Sequence, residues 1–245
     1  MLEIKDLRIG YEKPINETSL NGTFHLGNLV VLLGRNGTGK TTLLRTMANF
    51  LKPIDGNILI EGSDVNELSA KQFARKVSIV TTERIQTPYL KVYDLIALGR
   101  YPYLGFLGKL HDNDHQSIQM ILDDLAIAYL KDKYITSCSD GEQQMVMLAR
   151  ALAQDTAIIL LDEATAHLDF INRIKIFQTL QKLAKKNNKL IFMATHDLEI
   201  SLKYADNVLL FHNGRVDVNT AQFFTENNVI HSVFSVEGLD YKLNL

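Results

Sequence analysis

The sequence predicts an α/β fold with a mostly parallel sheet, and three observations carry that prediction. Leu29–Leu33, Ala157–Leu161 and Leu190–Ala194 are apolar at every position, as expected of strands covered on both faces. The first two are followed by helix-like stretches, Thr42–Phe50 and Asn172–Lys186, so strands and helices alternate. A glycine-rich turn, Gly34 to Gly39, joins the first apolar run to its helix. The expectation is one domain, 1–245, with an α/β core over 1–80 and 155–220. Its N-terminal part would be a small antiparallel β subdomain. A helical subdomain would be inserted at 84–150, and a short tail would occupy 221–245.

Taken in order, Leu2–Ile9 alternates apolar and polar residues, with one slip, like a half-buried strand. Thr18–Leu26 is a second candidate strand. Lys52-Pro53-Ile54-Asp55-Gly56 reads as a turn and Asn57–Glu61 as a short strand. Ser69 suits the N-cap of a short helix through Arg75, and Val77–Val80 reads as a strand. Strand signals then thin out. Val92–Leu98, His115–Leu125 and Ala126–Lys131 carry helical periodicity, and this region ends near Thr136. Gly141–Ala153 is a further helix. In Asn172–Lys186 the apolar Ile174, Phe177, Leu180 and Leu183 recur at helical intervals, and Lys185-Lys186 suits the C-terminal end. Val208–Phe211 and Arg215–Val218 flank Asn213-Gly214, a strong hairpin signal. Thr220 is expected to cap a final helix, with a short packed tail after it.

Composition narrows the function. The 245 residues are 46% hydrophobic, enough for a sizeable core, and the net charge of −2 argues against broad nucleic-acid binding. Cys138 is the only cysteine, so an internal disulfide is impossible and a reducing compartment fits. Met1 to Asp6 lacks the apolar core of a signal peptide. No stretch approaches the roughly 18 apolar residues of a membrane span. The expectation is a chain soluble by itself; spans, if needed, would come from another chain.

Chemistry concentrates in a few motifs. Gly34-Arg35-Asn36-Gly37-Thr38-Gly39-Lys40-Thr41-Thr42 has the spacing G-x-x-x-x-G-K-[ST] of a phosphate-binding loop. Glycines let the backbone wrap an anion, and the N–H groups at the following helix start point at it. Lys40 can reach β- and γ-phosphates, and Thr41 can offer a hydroxyl to Mg²⁺. The strand Ala157–Leu161 ends in Asp162 and Glu163. Beside a phosphate loop, Asp162 can hold the metal and Glu163 can orient or polarise a water. Ser139 with Glu142 forms a capping box. A helix start carrying Ser and Gly is also an anion site, and the residues alone leave both readings open.

In their order, the phosphate loop, Ser139–Gln144, Ala157–Glu163, Ala166-His167-Leu168-Asp169 and Ala194-Thr195-His196-Asp197 resemble the nucleotide-binding domain of an ATP-binding cassette (ABC) transporter. The resemblance covers essentially the whole chain and implies a P-loop NTPase fold, ATPase activity, and ATP and Mg²⁺ as cofactors. It implies that Gly34, Asn36, Gly37, Thr38, Gly39, Lys40, Thr41 and Thr42 hold the phosphates and that Tyr11 stacks on adenine. Thr41 and Asp162 would serve the metal. Glu163 would be the general base, with Lys40 and His196 at the γ-phosphate. Ser139, Gly141 and Glu142 would meet ATP held by a second copy of the chain, and Asp169 would cross that dimer interface. Three positions depart from the family pattern. Cys138 replaces a usual Leu, and Asp140 replaces a usual Gly. Where the family presents a glutamine after Val77–Val80, this chain has Thr81-Thr82-Glu83-Arg84, with the first glutamine at Gln86; that role is left unassigned among Thr82, Glu83 and Gln86.

Val92-Tyr93-Asp94-Leu95-Ile96-Ala97-Leu98-Gly99-Arg100-Tyr101-Pro102-Tyr103 is similar to cassettes that import iron–siderophore complexes, haem and vitamin B12, and so is Val233-Phe234-Ser235-Val236. The implied partners are a second copy, integral membrane permease subunits and, indirectly, a substrate-binding protein; nucleic acid is not among them. The implied location is peripheral, on the cytoplasmic face of the inner or plasma membrane. Tyr89, Tyr101, Tyr103, Phe106 and Leu107 either form an apolar partner patch or fill the helical core. A soluble ABC-type ATPase of repair or translation is the alternative function.

Overall fold

The computed structural model describes residues 1–81, 85–165, 168–227 and 229–234. The first half contains β1 (Leu2–Arg8), β2 (Leu20–Phe24), β3 (Leu29–Gly34), α1 (Lys40–Met47), β4 (Asp55–Ile60), β5 (Ser63–Asp64), α2 (Ala70–Ala74) and β6 (Val77–Val80). Helices follow: α3 (Val92–Ala97), a 3₁₀ segment Leu98–Tyr103, α4 (Asp112–Asp124) and α5 (Asp140–Ala153). The chain then runs β7 (Ile158–Asp162), α6 (Phe170–Asn187), β8 (Leu190–Ala194), α7 (Leu198–Tyr204), β9 (Asn207–His212), β10 (Arg215–Thr220), α8 (Ala221–Glu226) and α9 (Val229–Phe234).

Two sheets result. The smaller is antiparallel, in the order β2-β1-β4-β5. The larger runs β10-β9-β3-β8-β7-β6, parallel except for β10, which folds back on β9 through Asn213-Gly214. Both turn residues have positive φ, as this tight hairpin requires.

The apolar strands alternate between two cores, because successive side chains of a strand point to opposite faces. Leu29, Val31 and Leu33 of β3 pack with Ile159, Leu161, Ile191 and Met193 against α5, α6 and the helical insertion. Val30 and Leu32 pack with Ile158, Leu160, Phe192 and α1 toward the antiparallel sheet. The helical insertion carries its own contribution, with Val92, Leu95, Ile96, Ile118, Leu122 and Val146 fully or nearly buried.

Three local expectations are corrected. Ala126–Lys131 is a short 3₁₀ turn, Ala128–Leu130, because Ala126 adopts φ 54° and ends the preceding helix. Thr220 does cap a helix, accepting from the N–H of Phe223, but α9 follows it. Val233 and Phe234 belong to that helix, while Ser235 and Val236 lie outside the described residues.

β3, β8, β7 and β6 are neighbours and parallel, so the loops at their C-terminal ends gather along one edge. In open α/β sheets this edge is where ligands bind. It brings together the loop after β3, Glu163 after β7, and His196 after β8.

Candidate active site

The loop after β3 curls back on itself. Gly34 has φ 155°, and a Cβ there would stand 2.7 Å from the carbonyl oxygen of Phe211. Gly39 caps α1 at φ 108°, and a Cβ would meet Ile15 Cδ1 at 2.2 Å. Both positions favour glycine for conformation, and Gly34 also for space, since the atom it would meet is backbone. Lys40 is buried and turns back into the loop. Its Nζ donates to the carbonyls of Gly34 at 2.8 Å and Arg35 at 3.0 Å. Thr38 Oγ1 donates to the Arg35 carbonyl at 2.8 Å. Two of the three donors of the ammonium are thus used within the loop. Burial lowers the Lys40 pKa from its ordinary value, against the opposing pull of the Glu163 and Asp162 carboxylates.

The opposite wall comes from β7 and β8. Asp162 is buried, and its Oδ1 accepts from Thr41 Oγ1 at 3.0 Å. Burial pushes its carboxyl pKa up; the Thr41 hydroxyl works the other way. Two oxygen donors at the phosphate loop suit a hard cation such as Mg²⁺. Glu163 adopts φ 50°, a left-handed conformation uncommon outside glycine. Its N–H donates to the Ala194 carbonyl at 3.0 Å, and its own carbonyl accepts from Gln144 Nε2 at 3.0 Å. With the backbone held this way, Glu163 Oε1 lies 2.6 Å from His196 Nε2.

These residues border one open cleft of about 440 Å³, lined by Asn36, Gly37, Gly39, Lys40, Thr41, Thr42, Glu163 and His196. A smaller cavity of about 150 Å³ adjoins it, lined by Thr41, Leu44, Arg45, Ile79, Thr81, Asp162 and Glu163. Backbone N–H groups, an ammonium, an imidazole and two carboxylates in unlike settings can receive a polyphosphate with its cation.

Other expected site residues stand elsewhere. Ser139, Gly141 and Glu142 line a separate cavity of about 560 Å³ with Leu168 and residues of α6. Ser139 Oγ accepts from the Glu142 N–H at 3.3 Å, and Glu142 Oε2 accepts from the Ser139 N–H at 2.7 Å. That backbone hydrogen bond is the main reason the Glu142 carboxyl lies below its ordinary value. Asp169 caps α6, accepting from the Asn172 N–H at 2.8 Å. Tyr11 is 62% exposed, and its hydroxyl accepts from Arg45 Nη1 at 3.3 Å, so it lines neither the cleft nor the small cavity. Gln86 is exposed; Thr82, Glu83, Ala166 and His167 lie outside the described residues.

Three residues at the site were given no individual role by the sequence reading, although Gln144 and Asp197 lie within its motifs. Arg45 lines the small cavity, and helical spacing could have found it, because it stands four residues after Thr41 on one face of α1. Gln144 supports the Glu163 carbonyl from 19 positions away. Asp197 accepts from Thr165 at 2.8 Å and pairs with Arg173, bracing the turn after β8. No local signal announces either arrangement. Of the aromatic set, Tyr89, Tyr101, Phe106 and Leu107 are strongly exposed, so they do not fill the helical core.

Comparison with known proteins gives a consistent result. Residues 18–166 match the family described as ABC transporter. An ABC transporter ATP-binding protein of Methanocaldococcus jannaschii is 33% identical over 245 residues, covering 98% of this chain and 83% of the relative. The petrobactin import ATP-binding protein of Bacillus anthracis is 32% identical, covering 96% and 87%. Among solved structures, an inward-facing metal-chelate type ABC transporter aligns with a TM-score of 0.83 and 26% identity, over 95% of this chain and 88% of that one.

Proposed function

Because the chain belongs to the ABC transporter family and is an ATPase of it, we propose that it energises an importer of iron–siderophore, haem or cobalamin complexes. One observation carries the mechanistic part. Lys40, Thr41, Glu163 and His196 share a cleft, while Ser139 and Gly141 of the same chain line another cavity. An ATP site that needs both halves is completed by a second copy, placed head to tail.

In this reading Gly34–Thr42 wraps the phosphates, and Lys40 turns from its loop carbonyls toward the β- and γ-phosphates. Thr41 and Asp162 would hold Mg²⁺, which would offset the charge of the phosphate oxygens. Glu163 accepts a proton from the water that attacks the γ-phosphorus, and ADP leaves with its oxygen. His196, released from Glu163, donates to the γ-phosphate, and Ser139 of the second copy reaches it from the other side. Catalysis is then mainly positioning and charge stabilisation. Tyr11 would meet the adenine after leaving Arg45, and Asp169 would face the second copy.

Among the described residues no helix is long and apolar enough to cross a membrane. The exposed Tyr89, Tyr101, Phe106 and Leu107 would receive permease subunits at the cytoplasmic face, with a substrate-binding protein acting upstream. The import of petrobactin by a relative and the metal-chelate type of a structural neighbour support the cargo class. Reconstitution with the membrane subunits tests it. Ferric siderophore, haem or cobalamin is expected to stimulate ATP hydrolysis. A chain that hydrolyses ATP, co-purifies with no membrane protein and responds to none of the three would instead be a soluble ABC ATPase.

A further inference from the structure

A second cluster of charged side chains gathers at the C-terminal end of α5, away from Ser139. Arg100 lies in the 3₁₀ segment Leu98–Tyr103, and its side chain and that of Asp114 are only 15% and 9% exposed. Arg100 Nε donates to Asp114 Oδ1 at 2.7 Å, and Nη1 donates to the Ala153 carbonyl at 3.0 Å. The other Asp114 oxygen accepts from the His111 N–H at 2.9 Å, at the start of α4. The Arg100 guanidinium covers the Tyr103 ring at 4.6 Å, and Arg75 lies 5.4 Å from the same ring. Arg75 Nε also donates to the Pro102 carbonyl at 3.1 Å. Gly99 is pressed on α5, where a Cβ would stand 2.3 Å from the Arg150 carbonyl oxygen.

One guanidinium therefore joins α4, the last turn of α5 and the segment that carries the exposed Tyr101. α5 is 14 residues long, a rod of about 21 Å. Its other end is capped by Ser139. We propose that Arg100 is a positioning residue that fastens Leu98–Tyr103 to α5, so that the engagement of Ser139 with a partner's ATP is delivered to the exposed aromatic face. This rests on the reading of Ser139 as a phosphate contact across a dimer. The forked donor set is what the job requires: a lysine cannot serve Asp114 and Ala153 in fixed geometry while stacking on Tyr103.

Truncating Arg100 alone would strand a buried carboxylate and unfold the region for trivial reasons. The test therefore replaces the pair, Arg100→Met with Asp114→Asn, which removes both charges with little change of volume and keeps an acceptor for the His111 N–H. Hydrogen exchange is read with and without MgATP in a Glu163→Gln background, where ATP persists. In the parent, MgATP is expected to slow exchange at 34–42 and to change it at 98–103. In the double replacement the response at 34–42 stays within about twofold, and that at 98–103 falls roughly tenfold or more. An undiminished response at 98–103 would assign Arg100 a purely structural role. A parent that responds at 34–42 but not at 98–103 overturns the tie as well. No response at 34–42 in the parent rejects the ATP-site reading, and the tie with it.

Discussion

Asp162 shows how a single side chain is held in readiness. It is a buried carboxylate with one hydroxyl donor, Thr41, and a raised pKa. Asparagine keeps an oxygen for Thr41 and removes the charge. Asp162→Asn is therefore expected to stabilise the nucleotide-free protein, by roughly 2–4 °C in thermal midpoint for each ~1 kcal/mol recovered. It should also lose the extra stabilisation given by MgATP. The native pKa lies above the unfolded one, so the contribution of Asp162 is intact below the ordinary carboxylate range and is lost as pH rises through the native value. The gain from the substitution should appear at about pH 8 and vanish at about pH 3. Denaturation midpoints at both values decide it; an equal gain at each would remove charge as the cause. The placing of Lys40 and Thr41 was legible from their spacing on one strand–loop–helix unit, and that of Asp162 and Glu163 from their position at the end of an apolar strand. The Glu163–His196 contact was not. It depends on β7 and β8 being neighbours, a pairing that no local pattern encodes.

At the scale of elements, α5 joins two roles at one residue. Ser139 caps the helix, and the same hydroxyl is proposed to meet phosphate. Substitution separates the roles. Aspartate caps about as well as serine, whereas alanine costs about 1 kcal/mol. Ser139→Asp is therefore expected to leave the urea midpoint near that of the parent and to depress ATP turnover, since it sets a negative charge against phosphate. Ser139→Ala should lose about 1 kcal/mol of stability and less of the rate than Ser139→Asp, since it sets no charge against phosphate. If Ser139→Asp hydrolyses ATP at the parental rate, Ser139 is a cap and nothing more. Elements with a strong local signature were legible: the both-face apolar strands, the α5 capping box, the Asn213-Gly214 hairpin. The 3₁₀ turn at Ala128–Leu130 was not, because a short apolar run carries the same periodicity as a helix until Ala126 reverses its φ.

For the whole molecule, the proposal makes ATP a ligand that joins two chains. Glu163→Gln should bind MgATP and lose turnover by roughly 10²–10⁴-fold. Light scattering should then find it near twice the 27.7 kDa chain mass with MgATP, and near that mass without it. Undiminished hydrolysis would remove Glu163 as the base, and a monomer at saturating MgATP would remove head-to-tail pairing. The fold class was legible from the three apolar runs; the strand order β10-β9-β3-β8-β7-β6 was not, since strands distant in sequence pair in it. The placement of Lys40 and Ser139 in two different cavities of one chain also has a genetic meaning. Alleles inactivated at one or the other would each fail alone, yet they would complement when co-expressed. A mixed pair assembles one doubly damaged site and one intact site, taken half from each defective parent.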